Sequence, residues 1–87
     1  MWINRTDYQK IVNAGLNTGD LGFVEKIANQ WLEEFPNDIK SEYFLAKAAH
    51  LLEKDEESAK YLTKILLKDP ENLEAYELLS QNQKLKD

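Results

Sequence analysis

Apolar residues recur at helical spacing in five stretches along the chain. From about Thr6 to Asn17 one face carries Tyr8, Ile11, Val12, Gly15 and Leu16. From about Leu21 to Phe35, the residues Val24, Ile27, Ala28, Trp31, Leu32 and Phe35 follow the i, i+3, i+4, i+7 spacing of an amphipathic helix. A third stretch, about Ile39 to Glu53, is apolar on more than one side, through Tyr43, Phe44, Leu45, Ala46, Ala48, Ala49, Leu51 and Leu52. Such breadth is expected of a helix surrounded by neighbours. The fourth, about Glu56 to Lys68, turns Ala59, Leu62, Ile65 and Leu66 inward. The fifth, Leu73 to about Lys84, has Leu73, Tyr76 and Leu79 as a narrow stripe, then becomes polar at Gln81-Asn82-Gln83-Lys84. The pattern predicts an all-α chain of five helices with Leu45, Leu62, Trp31 and Tyr76 in one core.

The breaks between stretches have local causes. Thr18-Gly19-Asp20 reads as a tight turn, because glycine accepts a positive φ and aspartate caps the next helix. Phe35-Pro36-Asn37-Asp38 and Asp69-Pro70-Glu71-Asn72 place their prolines 34 residues apart. Proline cannot continue a helix interior and pushes the residue before it out of helical geometry. Asn37-Asp38 and Asn72 can then cap the helices that follow. Short connections imply antiparallel neighbours.

Two helix–turn–helix units on a 34-residue period resemble the tetratricopeptide repeat, whose pattern is W-x2-L-G-x2-Y, then A-x3-F, then P. Leu73-Glu74-Ala75-Tyr76-Glu77-Leu78-Leu79-Ser80 resembles the opening of a repeat, with Tyr76, Leu79 and Ser80 in the tryptophan, leucine and small-residue places. Leu45 and Ala46 hold the last two places in the second repeat, and Tyr8 and Ile11 the first two in the first. Asn17-Thr18-Gly19-Asp20-Leu21 resembles the turn within a repeat, and Pro36 and Pro70 fall where repeats close. Glu42 replaces the tryptophan of the second repeat, and Glu53-Lys54-Asp55 its glycine turn. Val24 stands where the family favours alanine, and Gly15 across the helix pair gives it room. The resemblance implies a short right-handed α-solenoid of stacked antiparallel hairpins: repeat one at 5–38, repeat two at 39–72, and a capping helix at 73–87. Two readings are open for Met1-Trp2-Ile3: a cover over the opposite end, or, for Trp2, an unburied stub of a chain cut from a longer protein.

Composition narrows the function. A chain of 87 residues makes a single domain. Its 43% hydrophobic and 31% charged residues are globular proportions. With no cysteine there is no disulfide framework, thiolate metal site or cysteine nucleophile. A net charge of −5 has the wrong sign for tracking a phosphate backbone, so nucleic acid is not an expected partner. No apolar run approaches the ~20 residues that span a bilayer, and the start lacks the form of a signal peptide. A soluble, cytoplasmic domain is expected.

Catalytic chemistry is not expected either. His50 is the only histidine and has no second histidine or cysteine with which to hold a metal. Glu33-Glu34 and Glu56-Glu57 are adjacent pairs, which point to different sides of a helix and cannot share a proton. The three glycines follow no phosphate-loop pattern. No catalytic residue, cofactor or metal is assigned.

What the resemblance does imply is a concave groove lined by the first helix of each hairpin. Its candidate residues are Lys10 and Asn13 from the first helix, Lys40, Tyr43, Phe44, Lys47, His50 and Leu51 from the third, and Leu78 from the last. Leu45, Ala48, Ala49 and Leu52 form one inner stripe, which leaves Phe44, Lys47 and Leu51 as a second stripe facing that groove. Aromatic residues amid lysines suit an apolar side chain next to a carboxylate. A Phe44→Ala, Lys47→Glu variant is then expected to stay folded and lose its partner. Packing of Tyr43 and Phe44 against the first and last helices fits the same residues equally. The family's clamp for acidic chaperone tails is not implied, because Gln9, Phe44, Glu74 and Leu78 take the places of its basic and polar groups. The expected partner is a protein or peptide. A homodimeric assembly module, or a fragment of a longer protein whose activity lies in another domain, are the alternatives.

Overall fold

Four of the five helices start where a side-chain oxygen meets the free amides of a first turn. The computed structural model describes residues 4–84, and in it Asn4 accepts from the Asp7 amide, Asp20 from Phe23, Asp38 from Lys40 and Asn72 from Ala75. The helices are α1 (Arg5–Thr18), α2 (Leu21–Glu34), α3 (Ile39–Leu51), α4 (Asp55–Lys68) and α5 (Leu73–Lys84). The described chain is 82% helical, with no strand. Gly19 closes α1 at φ 78, the left-handed geometry that glycine takes without penalty. At the α3–α4 turn the left-handed position falls to Glu53 at φ 64, which is costlier for a residue with a Cβ.

Successive helices pack antiparallel. The end of α1 meets the start of α2, where a Cβ added at Gly15 would sit 2.7 Å from a Val24 methyl. At the other end of this pair Tyr8 stacks on Trp31, with ring centroids 6.0 Å apart. The expected role of Gly15 in admitting Val24 is therefore seen directly. α3 lies against both α2 and α4, and α5 against α4.

Burial recurs on a 34-residue register. Tyr8, Val12 and Gly15 of α1 are buried, and so are Glu42, Ala46 and Ala49 of α3. Val24, Ala28 and Trp31 of α2 match Ser58, Leu62 and Ile65 of α4, all buried. α3 carries a second buried stripe, Ser41, Phe44 and Ala48, which α5 repeats as Ala75, Leu78 and Asn82. The first stripe of α3 faces its own hairpin partner, and the second faces the hairpin before it. One cluster gathers Tyr8, Val24, Trp31, Phe44 and Leu45, the other Ala46, Leu62, Ile65, Ala75 and Leu78.

This register corrects three expectations. Phe44 is 9% exposed and belongs to the core, its ring 5.8 Å from that of Trp31, because α3 buries two stripes rather than one. Leu78, placed on the groove from the sequence, is 4% exposed, because it stands 34 residues after Phe44 on the one stripe of α5 that is buried, packed with Leu62 and Ile65. Tyr76, expected in the core, is 49% exposed: its face of α5 has no covering helix among the described residues. Leu45, Leu62 and Trp31 are buried as expected, but in two clusters rather than one core, Trp31 and Leu45 in the first and Leu62 in the second. The placement expected for Met1-Trp2-Ile3 lies outside the described residues.

Candidate functional site

Helical spacing lines up the surface that the buried stripes leave free. On α3, Tyr43, Lys47 and Leu51 stand at i, i+4 and i+8, and on α5, Glu74, Glu77 and Gln81 stand at i, i+3 and i+7. The two rows border a furrow. One depression of about 140 Å³ is lined by Gln9, Ile39, Lys40, Tyr43, Phe44, Asn72 and Glu74. The next, of about 150 Å³, is lined by Tyr43, Lys47, His50, Leu51, Glu74, Glu77, Leu78 and Gln81. Tyr43 and Glu74 belong to both, so the two depressions form one continuous strip.

Seven of the nine candidate residues line this strip: Lys40, Tyr43, Phe44, Lys47, His50, Leu51 and Leu78. Phe44 and Leu78 meet it only as the surface of buried side chains. Lys10 and Asn13 are exposed on α1 and border neither depression. Leu51 is a large aliphatic residue half open to solvent. A more open hollow of about 460 Å³ lies at the α2–α3 corner, lined by Arg5, Glu34, Phe35, Pro36, Asn37 and Asp38. Asp38 is already engaged there, accepting from Arg5, from Trp31 Nε1 at 2.8 Å and from the Lys40 amide, so that corner ties three helices together.

The walls of the furrow differ in charge. Lys40 and Lys47 come from α3, Glu74 and Glu77 from α5. Partial burial raises the Tyr43 phenol above its usual value, and the negative charges of Glu74 and Glu77 raise it further. Removing those charges makes the phenolate easier to form. In a Glu74→Gln, Glu77→Gln variant, the tyrosinate absorbance of Tyr43 is expected to rise at lower pH than in the parent. Subtracting the titration of a Tyr43→Phe control isolates the signal, and an unchanged midpoint would place the two carboxylates away from the ring.

His50 has a structural occupation that its sequence context did not reveal. Ser58 donates to the Ala46 carbonyl at 2.8 Å, and Asn82 Nδ2 donates to Ser58 Oγ at 2.9 Å. The Asn82 carbonyl oxygen then lies 2.6 Å from His50 Nδ1, which therefore carries the proton. Asp55 Oδ1 lies 3.7 Å from the same nitrogen and has no hydrogen-bond partner of its own. The chain of bonds ties α3, α4 and α5 together. Asn82 was read from sequence as part of a polar tail, yet it is buried. Its one signal is its register: Ala48, 34 residues earlier, lies on the second inward stripe of α3. Asn82→Ala strands the Ser58 and His50 partners and is expected to cost about 1–3 kcal/mol in a urea melt. A cost below about half of one would mean that water replaces the bonds.

Among the described residues no three histidine, aspartate or glutamate side chains converge to hold a metal. No described helix is long and apolar enough to cross a membrane. No protein-family model matches the chain, and no curated protein matches it either.

Proposed function

We propose that the chain is a non-catalytic interaction module that holds a peptide or a segment of a partner protein in the furrow between α3 and α5. The observation that carries this reading is the continuous strip at Tyr43, Lys47 and Leu51, where an aromatic, a cation and an exposed aliphatic side chain adjoin Glu74 and Gln81. An apolar partner side chain would cover Leu51 and the Tyr43 ring, with a carboxylate toward Lys40 and Lys47. The tetratricopeptide reading, with repeats at 5–38 and 39–72 and a capping helix at 73–87, is part of the proposal. The 34-residue recurrence of buried positions supports it. A cytoplasmic setting and a scaffolding role belong to the same reading.

Two polar side chains of the interior are engaged in packing. Ser58 is fully buried and donates to a backbone carbonyl, and one nitrogen of His50 is held by Asn82. The Ser58 hydroxyl is therefore not presented as a nucleophile.

The test is capture on a peptide array by labelled protein. Tyr43→Ala with Lys47→Glu is expected to lose the captured peptides while keeping its helix content, since both residues lie at the surface of the furrow. Equal capture by this variant and the parent would place binding elsewhere. An assembly role is the second reading, favoured by the exposure of Leu73 and Tyr76 on the end helix.

A further inference from the structure

The two hairpins close on turns of the same geometry but different chemistry. At the end of α1 the Asp20 amide donates to the Gly15 carbonyl and the Gly19 amide to that of Leu16, the paired bonds of a Schellman motif, with Gly19 at φ 78. At the end of α3 the Lys54 amide donates to Ala49 and the Glu53 amide to His50, and the left-handed residue is Glu53 at φ 64. A residue with a Cβ is less stable there than glycine. Lys54 also gives α4 no side-chain cap, whereas an Asn or Asp oxygen caps each of the other four helices. The chain's three glycines all lie in the first hairpin, and residues 39–68 hold neither glycine nor proline. Leu51, Leu52, Glu53 and Lys54 are all good helix formers, so the second turn contains no residue that breaks a helix.

We propose that residues 39–68 open into one continuous helix, and that two copies of the chain then exchange their α4–α5 units to form a domain-swapped dimer. The seam that opens is specific to this chain. Ser58 donates to the Ala46 carbonyl at 2.8 Å, Lys68 to the buried Glu42 at 2.6 Å, and Asn82 bridges Ser58 and His50. Every one of these bonds joins α3 to the α4–α5 unit. A second copy re-forms all of them between chains, and their directionality fixes where the exchanged unit docks. The closed and swapped forms therefore share their seam and differ at the turn: two closed hairpins hold two left-handed Glu53 residues, and the swapped dimer holds none. Opposing the exchange, Asp55, Glu56 and Glu57 favour the free N-terminus of a closed α4, and association costs translational freedom. The outcome is an equilibrium that concentration shifts toward the dimer. In that dimer each furrow takes α3 from one chain and α5 from the other. The inference rests on the turn and the seam, and does not require the furrow to bind a peptide.

The chain has no cysteine, so Lys40→Cys with Leu67→Cys places two spin labels at chosen, exposed positions of the full chain. In the closed hairpin both sit at the end where Lys68 meets Glu42, within about 25 Å of each other. In one continuous helix they stand about 40 Å apart. Labelled chain is refolded from urea with an excess of unlabelled chain, so that label pairs between chains do not contribute, at a low and a high total concentration. Sedimentation and the label distance are expected to show a monomer with the short distance at low concentration, and a dimer with the long distance at high concentration. Glu53→Gly is expected to weaken the dimer by about thirtyfold or more, because it relieves two turns and places glycine in a helix interior. Asp55→Pro fits the first position of α4 but not a helix interior, and is expected to leave monomer alone. The proposal is overturned if the parent is monomeric at both concentrations, or if its dimer keeps the short distance. It is equally overturned if Glu53→Gly and Asp55→Pro dimerise as the parent does.

Discussion

Trp31→Ala is expected to lower the unfolding free energy by about 3–5 kcal/mol, the range for removing a large buried aromatic side chain. Trp31 has no solvent exposure, stacks on Tyr8, lies 5.8 Å from the Phe44 ring and donates to Asp38. It joins the first hairpin to the second. For a chain of this length, total stability is on the order of 4–13 kcal/mol, so the loss is a large share of it and, at the low end, the whole of it. Trp31→Phe keeps the ring contacts and loses the bond to Asp38, and should cost about 1–2 kcal/mol. A urea melt checks both, and a loss below about 1 kcal/mol for the alanine variant would mean that the hairpins do not depend on this contact.

Phe44→Ala carries the second large effect, about 3–4 kcal/mol, because the ring is enclosed between α3 and α2. Its neighbour provides the control. Tyr43 is one position along the same helix, about 100° around it, and borders the furrow. Tyr43→Ala should cost roughly 1 kcal/mol, within the range of partly exposed substitutions. Equal costs for the two would rotate α3 away from the orientation described. Trp31 and Phe44 touch, so the double variant should lose less than the two single losses combined.

The contrast between Tyr43 and Phe44 shows where sequence reasoning reached and where it stopped. Helix number, the turns at Gly19, Pro36 and Pro70, and the burial of Leu45, Leu62 and Trp31 were all legible from apolar spacing and capping chemistry. Spacing within one helix does not say how many neighbours it has. Leu45, Ala48, Ala49 and Leu52 already make a plausible inner stripe, so spacing leaves Phe44 equally open to the groove and to the core. A comparison across the 34-residue period held the answer. Phe44 matches apolar Leu78, but matches the charged Lys10 in α1, a helix that has no hairpin before it among the described residues. The same comparison explains Tyr76. It stands in the place of Tyr8, which is buried only because α2 covers it.

In the furrow, Lys40, Tyr43, Lys47 and Leu51 could be chosen from sequence because they fall between the apolar stripes of a helix whose phase was nearly right. The apposition of Glu77 and Gln81 to Lys47 and Tyr43 depends on how α5 lies beside α3, which spacing within one helix does not give. The Ser58–Asn82–His50 chain was not legible. Its members are 8 and 24 residues apart in order along the sequence from His50, and only tertiary packing makes hydrogen-bond partners of them.

The most direct measurement is an amide chemical-shift map of the labelled chain titrated with the tightest-binding peptide from the array. Saturable shifts are expected to centre on Tyr43, Lys47, Leu51, Glu74 and Gln81, with α2 silent. Shifts concentrated on α2, or on the Arg5–Pro36 corner, with the furrow residues unmoved would contradict the assignment of the furrow as the binding site.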